Sequence, residues 1–372
     1  MNLIFPAGLA MGEAFYDRVE ERAKLKSNIG HGIHTVLVAP RRFGKTSLIR
    51  KVLDDAKIPH IWLDFMAITS KEEAQSIFLN HISGLIVKIA KTEDRLKELI
   101  TKYFSLFKPE ITVGIPGLLK VTFKPEVISH VGVTDALINM DQLARDAGVR
   151  YAIVCDEFQE IINIDKNSSL QASIRHAAER SQSVTYLFSG SKHQPLRQIF
   201  SGKKNPLYEL CDLMSIDRIS EEDYRIYLQA EAKKKWGYEL SEAILRKIFN
   251  YTDYYPKYIN ALCARIWFGE AEPSAELIDS LWEDYIFTRK STISEELNGL
   301  TLNQRKLLKH LCNYPSESPF SYETSLNAKL SVSAIQSSLP QLVDRDLVVK
   351  LEGVYRVLDP TFKNYFAMFG LG

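Results

Sequence analysis

The chain of 372 residues has no apolar run long enough to span a bilayer. Its opening, MNLIFPAGLAMGEAF, is mildly apolar but short and broken by Pro6 and Gly8. No membrane association is therefore expected, and a cytoplasmic location is. Cysteine is scarce. Cys155, Cys211, Cys263 and Cys312 lie far apart without a CxxC pair, and the histidines are scattered too. That argues against a disulfide framework and a zinc site, and leaves buried reduced thiols as the expectation. An excess of charge of one sign is also missing. A formal net charge of +1 argues against a whole-molecule electrostatic binder of nucleic acid, though not against a local patch. There is no internal repeat, low-complexity tract or long polar linker. What remains is an ordinary globular composition, 45% apolar and 25% charged, with length for two or three domains.

Strands and helices alternate through roughly the first 220 residues. HTVLVA (34–39) reads as a strand leading into a Gly-containing loop. KTSLIRKVLDDA follows as a helix, with Leu48, Ile49, Val52 and Leu53 on one face. HIWLDF (60–65) is a second strand. Residues 71–104 have helical spacing, with Ile77, His81, Leu85 and Ile89 as the repeating positions. Two alternating runs around GIPG predict an inserted β-hairpin over 108–126, expected to be a solvated edge carrying Lys108, Lys120 and Lys124. DALINMDQLARDAG (135–148) is a helix ending at Gly148. RYAIVCDEFQEI (150–161), SVTYLFSGS (183–191) and CDLMSIDRIS (211–220) supply three more strands. From Glu221 to about Arg289 four helices are expected, with Ser220 and Ser241 as N-caps. Residues from about 301 read as three helices and a hairpin around Glu352-Gly353, a winged-helix pattern.

Three stretches carry chemistry. The first is APRRFGKTS (39–47), between the first strand and its helix. A phosphate-binding loop needs backbone N–H groups turned inward and a helix N-terminus facing the phosphates. Lys45 would then neutralise β/γ-phosphate charge, the Thr46 hydroxyl would ligate Mg²⁺, and Gly44 would let the backbone approach. Ala39 stands where such a loop usually opens on Gly; its methyl costs little at negative φ and about 1 kcal/mol at positive φ. The second is the apolar strand ending in Asp156-Glu157, expected beside the loop strand. Asp156 would hold the Mg²⁺ water shell and Glu157 would polarise an attacking water. The third is FSGS (188–191), whose Ser189 and Ser191 both qualify as a polar γ-phosphate sensor; a small-residue turn is the plain alternative for either.

Other phosphate-loop classes are argued against. No Asn-Lys-x-Asp motif reads guanine, and DEFQ is not followed by later helicase motifs. FSGSKHQ follows the Asp-Glu strand, whereas the transporter signature it echoes precedes that strand.

PRRFGKTSLI, VCDEFQEI, LFSGS and a helical segment followed by a winged-helix pattern resemble AAA+ P-loop ATPases of the archaeal-type ATPase family, related to the STAND and origin-recognition ATPases. The resemblance covers nearly the whole chain. It implies an α/β fold: a P-loop core with a five-stranded parallel sheet over 1–220, a helical lid over 221–292 and a winged-helix domain over 293–372. It implies ATP/ADP and Mg²⁺ as cofactors. Pro40, Arg41, Arg42, Phe43, Gly44, Lys45, Thr46 and Ser47 become the nucleotide loop, Asp156 and Thr46 the metal residues, and Glu157 the catalytic base. FYDRVEERAKL (15–25) resembles the family's Phe-x-x-Arg-x-x-Glu linker near the adenine, which brings in Arg18. YTDYYPKYINAL (251–262) resembles the Gly-x-Pro lid motif, in which only Pro256 transfers, since Asp253 or Tyr254 stands at the Gly position. Lys257 is either a second phosphate sensor or a solvated lysine. The arginine finger has no clear counterpart, and Arg197 is the substitute candidate; such a finger implies a homo-oligomer.

The expected function is Mg-ATP binding and slow or partner-stimulated hydrolysis that drives a conformational switch or remodels a protein or DNA partner. Two alternatives stay open: a nucleotide-regulated DNA-binding protein acting through the winged helix, and an interaction scaffold with little hydrolysis. In the first, Ser333, Gln336 and Ser337 would face bases. Residues 301–372, however, carry eight basic residues against six acids, feeble for a DNA reader, so a protein contact competes.

Overall fold

The computed structural model describes residues 4–10, 12–15, 17–90, 92–107, 110–113, 119–123, 130–191, 193–270 and 272–370. Contacts divide the chain into two compact units. A sheet unit comprises Arg18–Ala39 and Lys45–Ile216; a helical unit comprises Met1–Asp17, Pro40–Gly44 and Asp217–Gly372.

The sheet unit holds strands β1 (Thr35–Val38), β2 (His60–Asp64), β3 (Glu110–Val113), β4 (Leu119–Thr122), β5 (Tyr151–Asp156), β6 (Val184–Gly190) and β7 (Asp212–Ser215). Five of them form a parallel sheet in the order β2-β5-β6-β1-β7. The sequence explains which strands are central. YAIVCD and VTYLFSG are near-unbroken apolar runs, and both strands are buried along their whole length, as the middle of a parallel sheet requires. HIWLD and DLMS, partly polar, take the two edges and are only partly buried. One expectation is corrected here: the Asp-Glu strand does not neighbour the loop strand. β6 lies between them, pairing Val38 with Gly190 on one side and Phe188 with Cys155 on the other. All three carboxyl ends open at the same rim, where open α/β sheets bind their ligands.

The helix after β1 is Lys45–Asp55, burying the expected Leu48, Ile49, Val52 and Leu53. The helix Lys71–Ala90 is there and buries Leu85 of the expected stripe, with Ile77 and Ile89 partly buried and His81 exposed. Its most deeply buried face is the adjacent one, Ala74, Phe78, Ile82 and Ile86, because apolar residues occupy both. The hairpin forms from β3 and β4; residues 108–109, 114–118 and 124–126, Lys108 and Lys124 included, lie outside the described residues. It is not simply a solvated edge. Val121 and Phe123 are buried, and Phe123 packs on Phe104 and Phe107 with ring centroids 5.9 and 5.7 Å apart.

The helical unit contains helices Glu221–Trp236, Glu242–Thr252, Pro256–Phe268, Ala275–Thr288 and Lys290–Asn298. Ser220 and Ser241 cap the first two by accepting from Asp223 N and Ile244 N. Helices Leu302–Asn313, Tyr322–Ala328 and Val332–Asp344 follow, capped by Thr301, Ser321 and Ser331. The hairpin β8 (Val348–Leu351) and β9 (Val354–Val357) completes a winged helix, and helix Thr361–Phe369 succeeds it. Among the described residues no helix is long and apolar enough to cross a membrane.

Candidate nucleotide site

The sheet topology brings Lys45, Thr46, Asp156, Glu157, Ser189 and Ser191 together in the sheet unit. Lys45 and Thr46 open the helix that follows β1. Asp156 ends β5, Glu157 follows it, and Ser189 and Ser191 sit at and beyond the tip of β6. Lys45 is buried, and its Nζ donates to the Ala39 carbonyl at 2.9 Å. The Thr46 hydroxyl donates to Asp156 Oδ2 at 3.0 Å, and Ser189 donates to Asp156 Oδ1. A hydroxyl and a carboxylate at hydrogen-bond distance form the hard-oxygen donor set that magnesium takes, so these residues fit that ion.

Glu157 is half-buried and adopts a left-handed backbone, φ 49°. Its Oε2 accepts from Gln159 Nε2 at 2.6 Å, Ser191 Oγ at 2.8 Å and Ser191 N at 3.2 Å. Burial pushes the carboxyl up. The bonds from Gln159 and Ser191 and the charge of Lys45 outweigh it and hold the group below the usual glutamate value. Residues 189 and 191 project from the same side of the chain, and each serine engages a different acid. Gln159, quoted in DEFQ but given no role, was missed. Its position two residues beyond Glu157 was the only available signal.

The loop residues Pro40–Gly44 group with the helical unit. Ala39 is buried and is not among the positive-φ residues; in this loop those are Arg42, 73°, and Gly44, 83°. The Ala methyl therefore sits in an ordinary backbone conformation. The conformational demand falls instead on Arg42, where a left-handed backbone costs a non-glycine residue about 1–2 kcal/mol. Its side chain is held firmly. Arg42 Nη1 donates to the Tyr258 hydroxyl and to Asp359 Oδ2 at 3.1 Å. Arg289 Nη2 reaches the same oxygen at 3.2 Å, while Thr361 donates its N–H (2.9 Å) and hydroxyl to Oδ1. Burial raises the Asp359 carboxyl, but Arg289 and Arg42 outweigh it and hold it below the usual aspartate value. Phe43, fully buried, packs edge-on against Tyr255, and Arg41 is exposed.

Pro256 is the first residue of helix Pro256–Phe268. Just before it Asp253 and Tyr254 both have positive φ, 48° and 59°. The backbone that favours glycine is thus kept without one. Lys257 is pulled down to about 8, first by burial and then by Arg42 and Arg289. Arg18 and Arg197 are not drawn into the acid cluster by any described contact. Arg18 is buried with φ 58° and pairs with Glu21 at 2.9 Å, and Arg197 is exposed on helix His193–Ser201.

No protein-family model matches the chain, and no curated protein matches its sequence. Solved structures do match its shape. The Walker-type ATPase of Pyrococcus abyssi superposes with a TM-score of 0.66 at 17% identity, over 96% of this chain and 98% of that one. The ORC2 protein of Aeropyrum pernix, in its ADPNP–ADP complexes, gives 0.53 at 12% identity, over 95% and 94%. Its ADP form gives 0.50 at 12%, over 99% and 96%. From end to end, then, this chain has the fold of the AAA+ P-loop ATPases, five-stranded parallel sheet and winged helix included.

Proposed function

We propose that this chain binds Mg-ATP through Pro40–Ser47 and hydrolyses it to ADP and phosphate. The observation that carries the reading is the convergence of Lys45, Thr46, Asp156 and Glu157 with both serines at one rim of the sheet. Lys45 releases the Ala39 carbonyl and neutralises the β- and γ-phosphates. Thr46 and Asp156 hold magnesium, which when bound offsets the phosphate charge. Glu157, kept ionised, accepts a hydrogen bond from the attacking water and orients it. Ser191 is the polar sensor beside it. Arg197, exposed, is available to a second copy of the chain as a finger. The shape shared with a Walker-type ATPase supports the assignment. Hydrolysis drives a switch over the three-part organisation of core, 221–292 lid and 293–372 winged-helix domain.

The test is Mg-dependent thermal stabilisation. A ligand at 100 times its Kd stabilises by about 2.7 kcal/mol. Mg-ATP should raise the melting temperature of the wild type and not that of Lys45→Ala; equal shifts in both would refute the loop assignment.

For the winged helix we infer a protein contact rather than duplex reading. The exposed positions of helix Val332–Asp344 begin Val332, Ser333, Gln336, Ser337, Pro340, Gln341, with no cation among them. Exposed Tyr322 and Leu326 lie on the preceding helix. Binding to duplex DNA rests on several phosphate contacts and falls steeply with salt. A salt-dependent gel shift by the full chain with duplex DNA would overturn this reading.

A further inference from the structure

Gln159 is buried, 3% exposed, yet it is a polar residue with half its hydrogen-bonding capacity unused. Its Nε2 donates to Glu157 Oε2 at 2.6 Å, while its Oε1 is buried without a partner. Leaving an acceptor buried and unpaired is costly, so something else holds the side chain there. The backbone does. Phe158, fully buried, lies against Phe188 (4.7 Å between centroids), Phe65 (5.1 Å) and Phe200 (6.0 Å). That anchor fixes the turn Phe158–Glu160 and aims the next side chain back at Glu157.

The space Gln159 occupies exists because residue 190 is glycine. Gly190 does not have positive φ, so its backbone does not require glycine. A Cβ built on it would stand 2.0 Å from Gln159 Oε1, 3.1 Å from Leu196 Cδ2 and 3.2 Å from Gln159 Cδ. Gly190 is flanked by the two serines that bond the acids, so FSGS builds both walls of the clamp. With Gln159 Nε2, Ser191 N and Ser191 Oγ all on Oε2, Glu157 Oε1 receives no donor among the described residues.

We infer that Gln159 is a positioning residue, seated by the missing side chain of Gly190, that clamps one oxygen of Glu157 so that the other is presented to the attacking water. This rests on the hydrolysis reading above.

The experiment compares Mg-ATP turnover in wild type, Gln159→Leu and Gly190→Ala. Leucine deletes both the amide donor and the orphaned oxygen, and a melt checks that each variant folds. Each variant should lower kcat at least about tenfold and leave KM within about twofold. A kcat within about twofold of wild type in folded Gln159→Leu, or a loss carried by KM with kcat unchanged, would overturn the clamp. Glu157→Gln separates the two readings. Turnover surviving in it defeats the hydrolysis reading, whereas turnover lost there but unchanged in Gln159→Leu defeats the clamp alone.

Discussion

Replacing Asp359 by asparagine keeps the shape of the side chain and removes its charge. In the wild type that carboxylate is 5% exposed and takes both Arg42 and Arg289 on one oxygen, at 3.1 and 3.2 Å. Without it two guanidinium groups stay close together and uncompensated. Breaking a fully buried ion pair by deleting one partner costs about 3–5 kcal/mol, and with Arg289 16% and Arg42 37% exposed the cost here falls to about 3 kcal/mol. For a unit of this size each kcal/mol lowers the melting temperature by about 2–4 °C, so a drop of about 10 °C is expected. Tryptophan fluorescence suits the measurement, because Trp236, Trp267 and Trp282 belong to the helical unit and only Trp62 does not. The pH dependence has a definite sign. The carboxyl is depressed in the folded chain, so its contribution is complete above the ordinary aspartate value of 3.8 and is lost as pH falls through the lower folded value. The gap between wild type and variant is therefore full at neutral pH and closes in acid. Arg42→Met supplies the control: costly in the wild type, it should cost less, or stabilise, when Asp359 is already asparagine. A melting temperature within 3 °C of wild type, or an equal Arg42→Met cost in both backgrounds, would refute the reasoning.

Two further outcomes follow from the same geometry. Lys257 is depressed to about 8 against an ordinary 10.5, so the folded chain binds fewer protons than the unfolded one between those values, and this group makes stability rise with pH there. Lys257→Met should lack that rise and gain stability at pH 7; a variant whose melting temperature tracks wild type across the interval would contradict the assignment. Ala39→Gly should lower stability by about 1 kcal/mol and leave Mg-ATP affinity unchanged, because a buried residue at negative φ gains nothing from glycine. Tighter nucleotide binding in that variant would mean the methyl obstructs the loop after all.

What the sequence reveals here is what is local. A strand, a glycine loop and an amphipathic helix announce themselves within twenty residues, and so does an apolar strand ending in Asp156-Glu157. Pairing is different. Whether β5 lies beside β1 is decided by contacts between residues more than a hundred positions apart, and no pattern in either strand records that β6 stands between them. The phase of helix Lys71–Ala90 was ambiguous for another reason, since apolar residues occupy more than one stripe. The Arg42–Asp359 pair spans 317 positions, so the conformational cost at Arg42 and its compensation are invisible in sequence. Gly190 illustrates the same limit. It reads as a turn residue in FSGS, and only the position of Gln159 reveals that it is there for space.

The central claim is hydrolysis at Glu157. Phosphate release and Mg-ATP binding, measured side by side on wild type and Glu157→Gln, test it most directly. Binding should persist in the variant, because Lys45, Thr46 and Asp156 are untouched, while turnover should fall by at least about a hundredfold. Turnover retained in Glu157→Gln would contradict the account.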